Sequence, residues 1–267
     1  MLFGACLLCI IAVTVRNCTT TVTIMAPLSH CCGVKESGSK PLIGVIMLDT
    51  QFPRLMWDAG NPKSYACDTM IRKISGTGVR KIVSANRPEE FTSRFVSLAV
   101  EMEEAGASVI TTTCGFMIAF QDDIEKQVNI PVYTSSLLQI PLIEKSLSQS
   151  RKIGIITADS KSLTWGHLKM AGASERSRFL IGGMEGRTEF RRAILDDSTT
   201  LHKEELRAEV IKIADELLSS DAQIGAFLLE CTNLPPYSRS LRREFDLPVF
   251  DFITMVNWVI SSMNTTR

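Results

Sequence analysis

The chain has 267 residues, which suits two modest domains or one large one, and 45% hydrophobic residues supply ample core. Twenty-nine basic residues balance 29 acidic ones at a pI of about 6.8, with no long run of one sign, so nothing suggests a phosphate-backbone footprint and nucleic acid is not expected as a partner. General disorder is excluded by the same composition.

Residues 1–40 read as an appendage. "MLFGACLLCIIAVTV" is as long as a signal-peptide core and too short to span a bilayer comfortably, but its first basic residue, Arg16, follows the run instead of preceding it. The segment is either a targeting sequence or an over-extended start, with Met25 as the initiator in the second case. A cytoplasmic protein is expected, or a secreted one if residues 1–24 act as a signal; no other membrane association is expected. Of eight cysteines, Cys6, Cys9, Cys18, Cys31 and Cys32 crowd this segment, leaving Cys67, Cys114 and Cys231 for the rest. No CxxC pair recurs and the three histidines are scattered, so no zinc site or disulfide scaffold is expected.

From Pro41 onward, β-branched runs alternate with helical patterns. In chain order the predicted strands are "LIGVIML", "RKIVSA", "ASVITTT", "IPVY", "KIGIIT", "RFLIGG", "IGAFLLE" and "LPVF". Phe91, Phe95, Leu98 and Met102 share one face of a predicted helix, and Leu206, Val210, Ile213 and Leu217 share a face of another. Runs of continuous hydrophobicity point to strands covered on both faces, hence parallel sheets in an α/β fold.

The chain also repeats itself. "GVIMLDT" from Gly44 aligns with "GIITADS" from Gly154, "VITTTCGF" with "AFLLECTN", and "IPVY" with "LPVF". The aligned cysteines, Cys114 and Cys231, each precede the aligned proline by 17 residues (Pro131 and Pro248). Two pseudo-symmetric α/β domains are therefore expected, 41–150 and 151–267, with the last helix able to pack back on the first domain. In open parallel sheets ligands bind beyond the carboxyl ends of the strands. Both cysteines directly follow a strand, so a pseudo-twofold axis would set the thiols across a shared cleft.

Two opposed thiols suit the inversion of a carbon bearing an acidic hydrogen, one thiolate acting as base and the other thiol as acid. An unperturbed thiol, with pKa about 8.5, is only slightly ionised at neutral pH, so the site is expected to lower one of the two. Gly115, lacking a side chain, would let a substrate carboxylate approach the backbone amides. No GxGxxG or Walker pattern is present, so no nucleotide cofactor is indicated.

These residues resemble the aspartate/glutamate racemase superfamily, which works without pyridoxal phosphate. "IGVIMLDT" is similar to its opening strand, "ECTNLP" to its second cysteine motif, and "TTTCGF" occupies the place of the first. The resemblance implies a cofactor-independent racemase or epimerase acting on an amino acid or related carboxylate, with Cys114 and Cys231 as the catalytic pair. It also implies a homodimer. Phe116, where a carboxylate-binding Thr is usual, and Asn233, where an ionisable helper is usual, point to a divergent branch with a different or less polar substrate. The alternatives are a cis–trans isomerase or decarboxylase of a small dicarboxylate on the same scaffold, or a non-catalytic ligand-binding homologue.

Candidate substrate contacts are Asp49, Thr50, Asn86, Gly115, Ser135, Ser136, Thr232 and Asn233, all at strand ends on the expected rim. Each also has an ordinary reading as a helix cap or turn residue. Arg54 reads as a solvated loop arginine in preference to a carboxylate clamp, and His167 as a residue packed on or beside a helix.

Overall fold

The computed structural model describes residues 41–83 and 89–263, all within one compact unit. The appendage, Met25 and Asn86 lie outside the described residues. Among those described, no helix is long and apolar enough to cross a membrane.

Eight strands form two four-stranded parallel sheets. The first has the order β2-β1-β3-β4, from β1 (Leu42–Leu48), β2 (Asp68–Ile74), β3 (Val109–Thr112) and β4 (Val132–Tyr133). The second, β6-β5-β7-β8, uses β5 (Lys152–Thr157), β6 (Phe179–Gly183), β7 (Ile224–Leu229) and β8 (Val249–Phe250). Parallel pairing requires crossovers, and helices supply them. Helix Glu89–Glu104 buries Phe91, Phe95, Ala99 and Met102, while Lys203–Ser220 buries Leu206, Val210, Ile213 and Leu217.

The duplication holds down to the register. Gly44 of β1 pairs with Ile110 and Gly154 of β5 pairs with Phe227. Ile110 in turn pairs with Val132, and Phe227 with Val249. Each cysteine therefore follows the same rung of its own sheet.

One predicted strand is corrected. "RKIVSA" is not the second strand; Val79–Val83 is a short helix, and Asp68–Ile74 takes the sheet edge. That edge strand carries Asp68, Arg72 and Lys73 and is mostly solvent-facing, so it lacks the continuous apolar run that marks its neighbours.

The last helix, Phe252–Met263, packs on the first sheet, where Phe252, Ile253, Val256 and Ile260 join Ile43, Val45 and Val109 in one apolar cluster. Asp251 anchors its start. Its carboxylate accepts from the Thr254 amide at 2.7 Å and from the Ser238 hydroxyl at 2.6 Å, satisfying an otherwise orphaned helix donor.

Candidate active site

Cys114 and Cys231 line one cavity, together with residues from both halves: Leu48, Thr50, Phe52, Arg54 and Phe116 from the first, Ala158, Ile194, Glu230, Thr232 and Asn233 from the second. The walls are mainly apolar, and the cavity volume is about 10 Å³, close to the room one water takes. The thiols are only 8% and 6% exposed.

The halves are stitched together around this cavity. The Thr232 hydroxyl donates to the Thr113 carbonyl at 2.7 Å, and the Ala59 amide to the Thr232 carbonyl at 3.2 Å. Asn233 Nδ2 donates to Asp58 Oδ2 at 2.8 Å, while Asn233 Oδ1 accepts from the Cys231 thiol at 3.6 Å. Asp197 Oδ1 accepts the amides of Gln51 and Phe52 at 2.7 and 3.2 Å.

Of the sequence-predicted residues, Cys114, Cys231, Thr50, Gly115, Thr232 and Asn233 come together on the cavity wall. Three others do not. Asp49 accepts from the Gly76 amide at 2.9 Å and faces Lys73. The Ser135 hydroxyl oxygen accepts the Leu137 amide at 3.2 Å as a helix cap, and the Ser136 hydroxyl donates to the Leu229 carbonyl at 2.7 Å. All three have hydrogen bonds to the frame. His167 lies on helix Trp165–Met170, edge-on to Phe116 with centroids 5.4 Å apart.

Arg54 differs from the sequence reading: its side chain is only 11% exposed. It stacks over the Phe52 ring, pairs with Asp58 Oδ1 at 3.0 Å and donates to Thr50 Oγ1 at 2.6 Å. The loop bearing it has no periodicity, so nothing in the sequence marks the pairing apart from its i,i+4 spacing.

Glu230 is the residue that sequence reasoning passed over. It is fully buried; Oε2 accepts from the Thr157 hydroxyl at 2.8 Å, and the Ala158 amide also donates to the carboxylate. A Cβ on Gly115 would stand 2.2 Å from Glu230 Oε1. Gly115 thus makes room for the protein's own carboxyl, where the sequence suggested room for a substrate's. Desolvation raises the Glu230 pKa to about 7.

The thiols respond to this surrounding. Burial, then the Glu230 charge, pushes Cys114 up to about 12, against the pull of the Phe116 and Met117 amides and of Arg54. Cys231 is also raised, by burial and Glu230 first, with the Asn233 amide opposing. The expected lowering of one thiol is therefore not present in the closed cavity: two amide donors do not offset lost solvation and a neighbouring anion.

The fold places the chain among known structures. Unliganded arylmalonate decarboxylase superposes with a TM-score of 0.56 at 14% identity, covering 85% of this chain and 93% of that one. The aspartate racemase of Picrophilus torridus gives 0.51 at 13%, covering 84% and 94%. The chain thus shares the fold of these two enzymes. In sequence it is 31% identical over 231 residues to dimethylsulfoniopropionate lyase 7 of Emiliania huxleyi (strain CCMP1516), covering 84% of this chain and 67% of that protein. Dimethylsulfoniopropionate lyase 3 of the same organism is 30% identical over 231 residues, covering 84% and 60%. The chain belongs to the dimethylsulfoniopropionate lyase family. It spans 60% to 67% of the length of these two relatives and matches no family model.

Proposed function

We propose that this chain is a lyase that breaks a β-sulfonio carboxylate of the dimethylsulfoniopropionate type by β-elimination, with the Cys114–Cys231 cavity as its active site. Such a substrate carries a carboxylate, an α-CH2, a β-CH2 and a dimethylsulfonium. A thiolate takes one α-hydrogen as a proton. The C–H electrons become the α,β double bond, and the β C–S bond breaks with its pair going to sulfur. Acrylate and neutral dimethyl sulfide leave, and the proton stays on the thiol until solvent removes it.

This first step is the one racemisation also needs, proton removal beside a carboxylate, which explains how one scaffold serves both reactions. The second half differs: an α-CH2 has no configuration to invert, so no proton need return to carbon. The observation that carries the reading is the pair of thiols on one apolar cavity built by both halves. Phe52 and Phe116 suit the methyl groups of a sulfonium, and a cation beside the thiols lowers their pKa when the free cavity raises it.

The test is dimethyl sulfide release from dimethylsulfoniopropionate, followed by gas chromatography, beside racemisation of aspartate and glutamate followed by solvent deuterium at the α-carbon. Sulfide release without racemisation is expected. Racemisation without sulfide release would return the chain to the inversion chemistry its sequence first suggested.

A further inference from the structure

Glu230 occupies in the second half the place that Thr113 holds in the first, each standing immediately before its cysteine. The Thr113 oxygen accepts the Leu48 amide at 3.1 Å; at the aligned place the Ala158 amide acts on the Glu230 carboxyl by lowering its pKa, and Oε2 accepts from the Thr157 hydroxyl. A hydroxyl is thus enough for this structural task. The second half uses a carboxyl instead, and one oxygen is left over: Oε1 has no hydrogen-bond partner, though it is buried on the wall of the cavity. An unpartnered acceptor in a dry, mainly apolar site is destabilising, more so if charged, so a threonine-like residue would serve the frame better.

We propose that Glu230 is the counter-ion for the cationic head of the ligand, its free Oε1 facing the positive sulfonium between Phe52 and Phe116. This deepens the lyase reading and rests on it. The residue then determines specificity: it favours a β-onium carboxylate over an uncharged isostere of the same shape. It also loses its partner when the sulfonium becomes a neutral sulfide, which favours release. The charged and titratable groups near Glu230 are Cys114 and Cys231, whose ionisation its charge opposes, and Arg54, which also lines the cavity and pairs with Asp58. Because the free carboxyl titrates at about 7, cation binding near neutral pH draws it into the charged form and releases a proton.

The probes are β-trimethylammoniopropionate, which keeps the cation, and its uncharged tert-butyl isostere, both measured by titration calorimetry in buffers of different ionisation enthalpy. Wild type is expected to prefer the cation by at least about tenfold and to release a proton to buffer on binding it. Glu230→Gln keeps the shape and is expected to lose both the preference and the proton release. A preference retained in Glu230→Gln, or equal binding of both probes by wild type, overturns this proposal and leaves the lyase reading standing. Wild type that binds neither probe and releases no sulfide overturns both. If Glu230→Gln does not fold, Thr157→Val removes the donor to Oε2 and is expected to move the proton release to higher pH with the cation preference kept; an unmoved release overturns the proposal.

Discussion

In the first half, the hydroxyl-bearing rim is tied to a cation, the Thr50 oxygen accepting from Arg54. In the second, the aligned Ser160 donates instead to Glu185 at 2.6 Å. The aligned aspartates part in the same way: Asp49 reaches across to Gly76, whereas Asp159 caps its own turn through the Lys161 and Ser162 amides. Strand order and register survived duplication because a shifted register turns every side chain to the wrong face. The residues beyond the strand ends are free of that constraint, and there the halves diverged. The first gave the cavity its guanidinium and aromatic walls; the second gave it a carboxyl.

Four tests, using five substitutions, probe how far that division of labour goes. The largest effect is expected at the cavity residue type that both halves supply. Cys114→Ser and Cys231→Ser should each lower sulfide release by at least about 100-fold, with unchanged circular dichroism; full activity in one variant would show that only its partner acts on substrate. Next comes the Arg54–Asp58 pair, which has no counterpart in the second half. Asp58→Ala removes the carboxylate that pairs with Arg54 and accepts from Asn233, and urea unfolding should show a loss of about 3–5 kcal/mol.

The third concerns Glu230 and has a pH signature. Its folded pKa, about 7, lies above the ordinary 4.5, so the folded state holds this proton more tightly than the unfolded chain. Its contribution to stability is whole below 4.5 and is lost as pH rises through 7, a fall of about 3 kcal/mol. Glu230→Gln should flatten that fall, and an undiminished slope in urea titrations would place the proton elsewhere. The smallest effect is expected at Ser135. Ser135→Ala removes a helix cap and should cost about 1 kcal/mol with the Michaelis constant unchanged; a raised Michaelis constant would return Ser135 to the ligand.

The sequence made the frame legible because parallel strands buried on both faces leave unbroken apolar runs, and duplication preserved their spacing. It hid β2 because an edge strand is free to be charged. The cysteines were readable as a matched pair. Thr50, Gly115, Thr232 and Asn233 were readable only as rim positions, since sequence does not say which polar side chains the frame will use, and Asp49, Ser135 and Ser136 went to the frame. Glu230 lies within the second cysteine motif, but what sets it apart is its packing on Gly115 of the other half, where a Cβ would stand 2.2 Å from Oε1, and no sequence pattern marks that contact. Arg54 was obscured by a loop whose pattern carries no period.

The 10 Å³ cavity also has a kinetic consequence. A solute larger than water is expected to meet the sulfurs only when links between the halves loosen, among them those from Asp197 to the Gln51 and Phe52 amides. Alkylating reagents and oxidants would therefore be rationed by how often the molecule breathes, whatever the intrinsic appetite of the thiols. Loosening that latch, as in Asp197→Ala, should speed modification of Cys114 and Cys231 together and leave Cys67, outside the latch, reacting at its former pace.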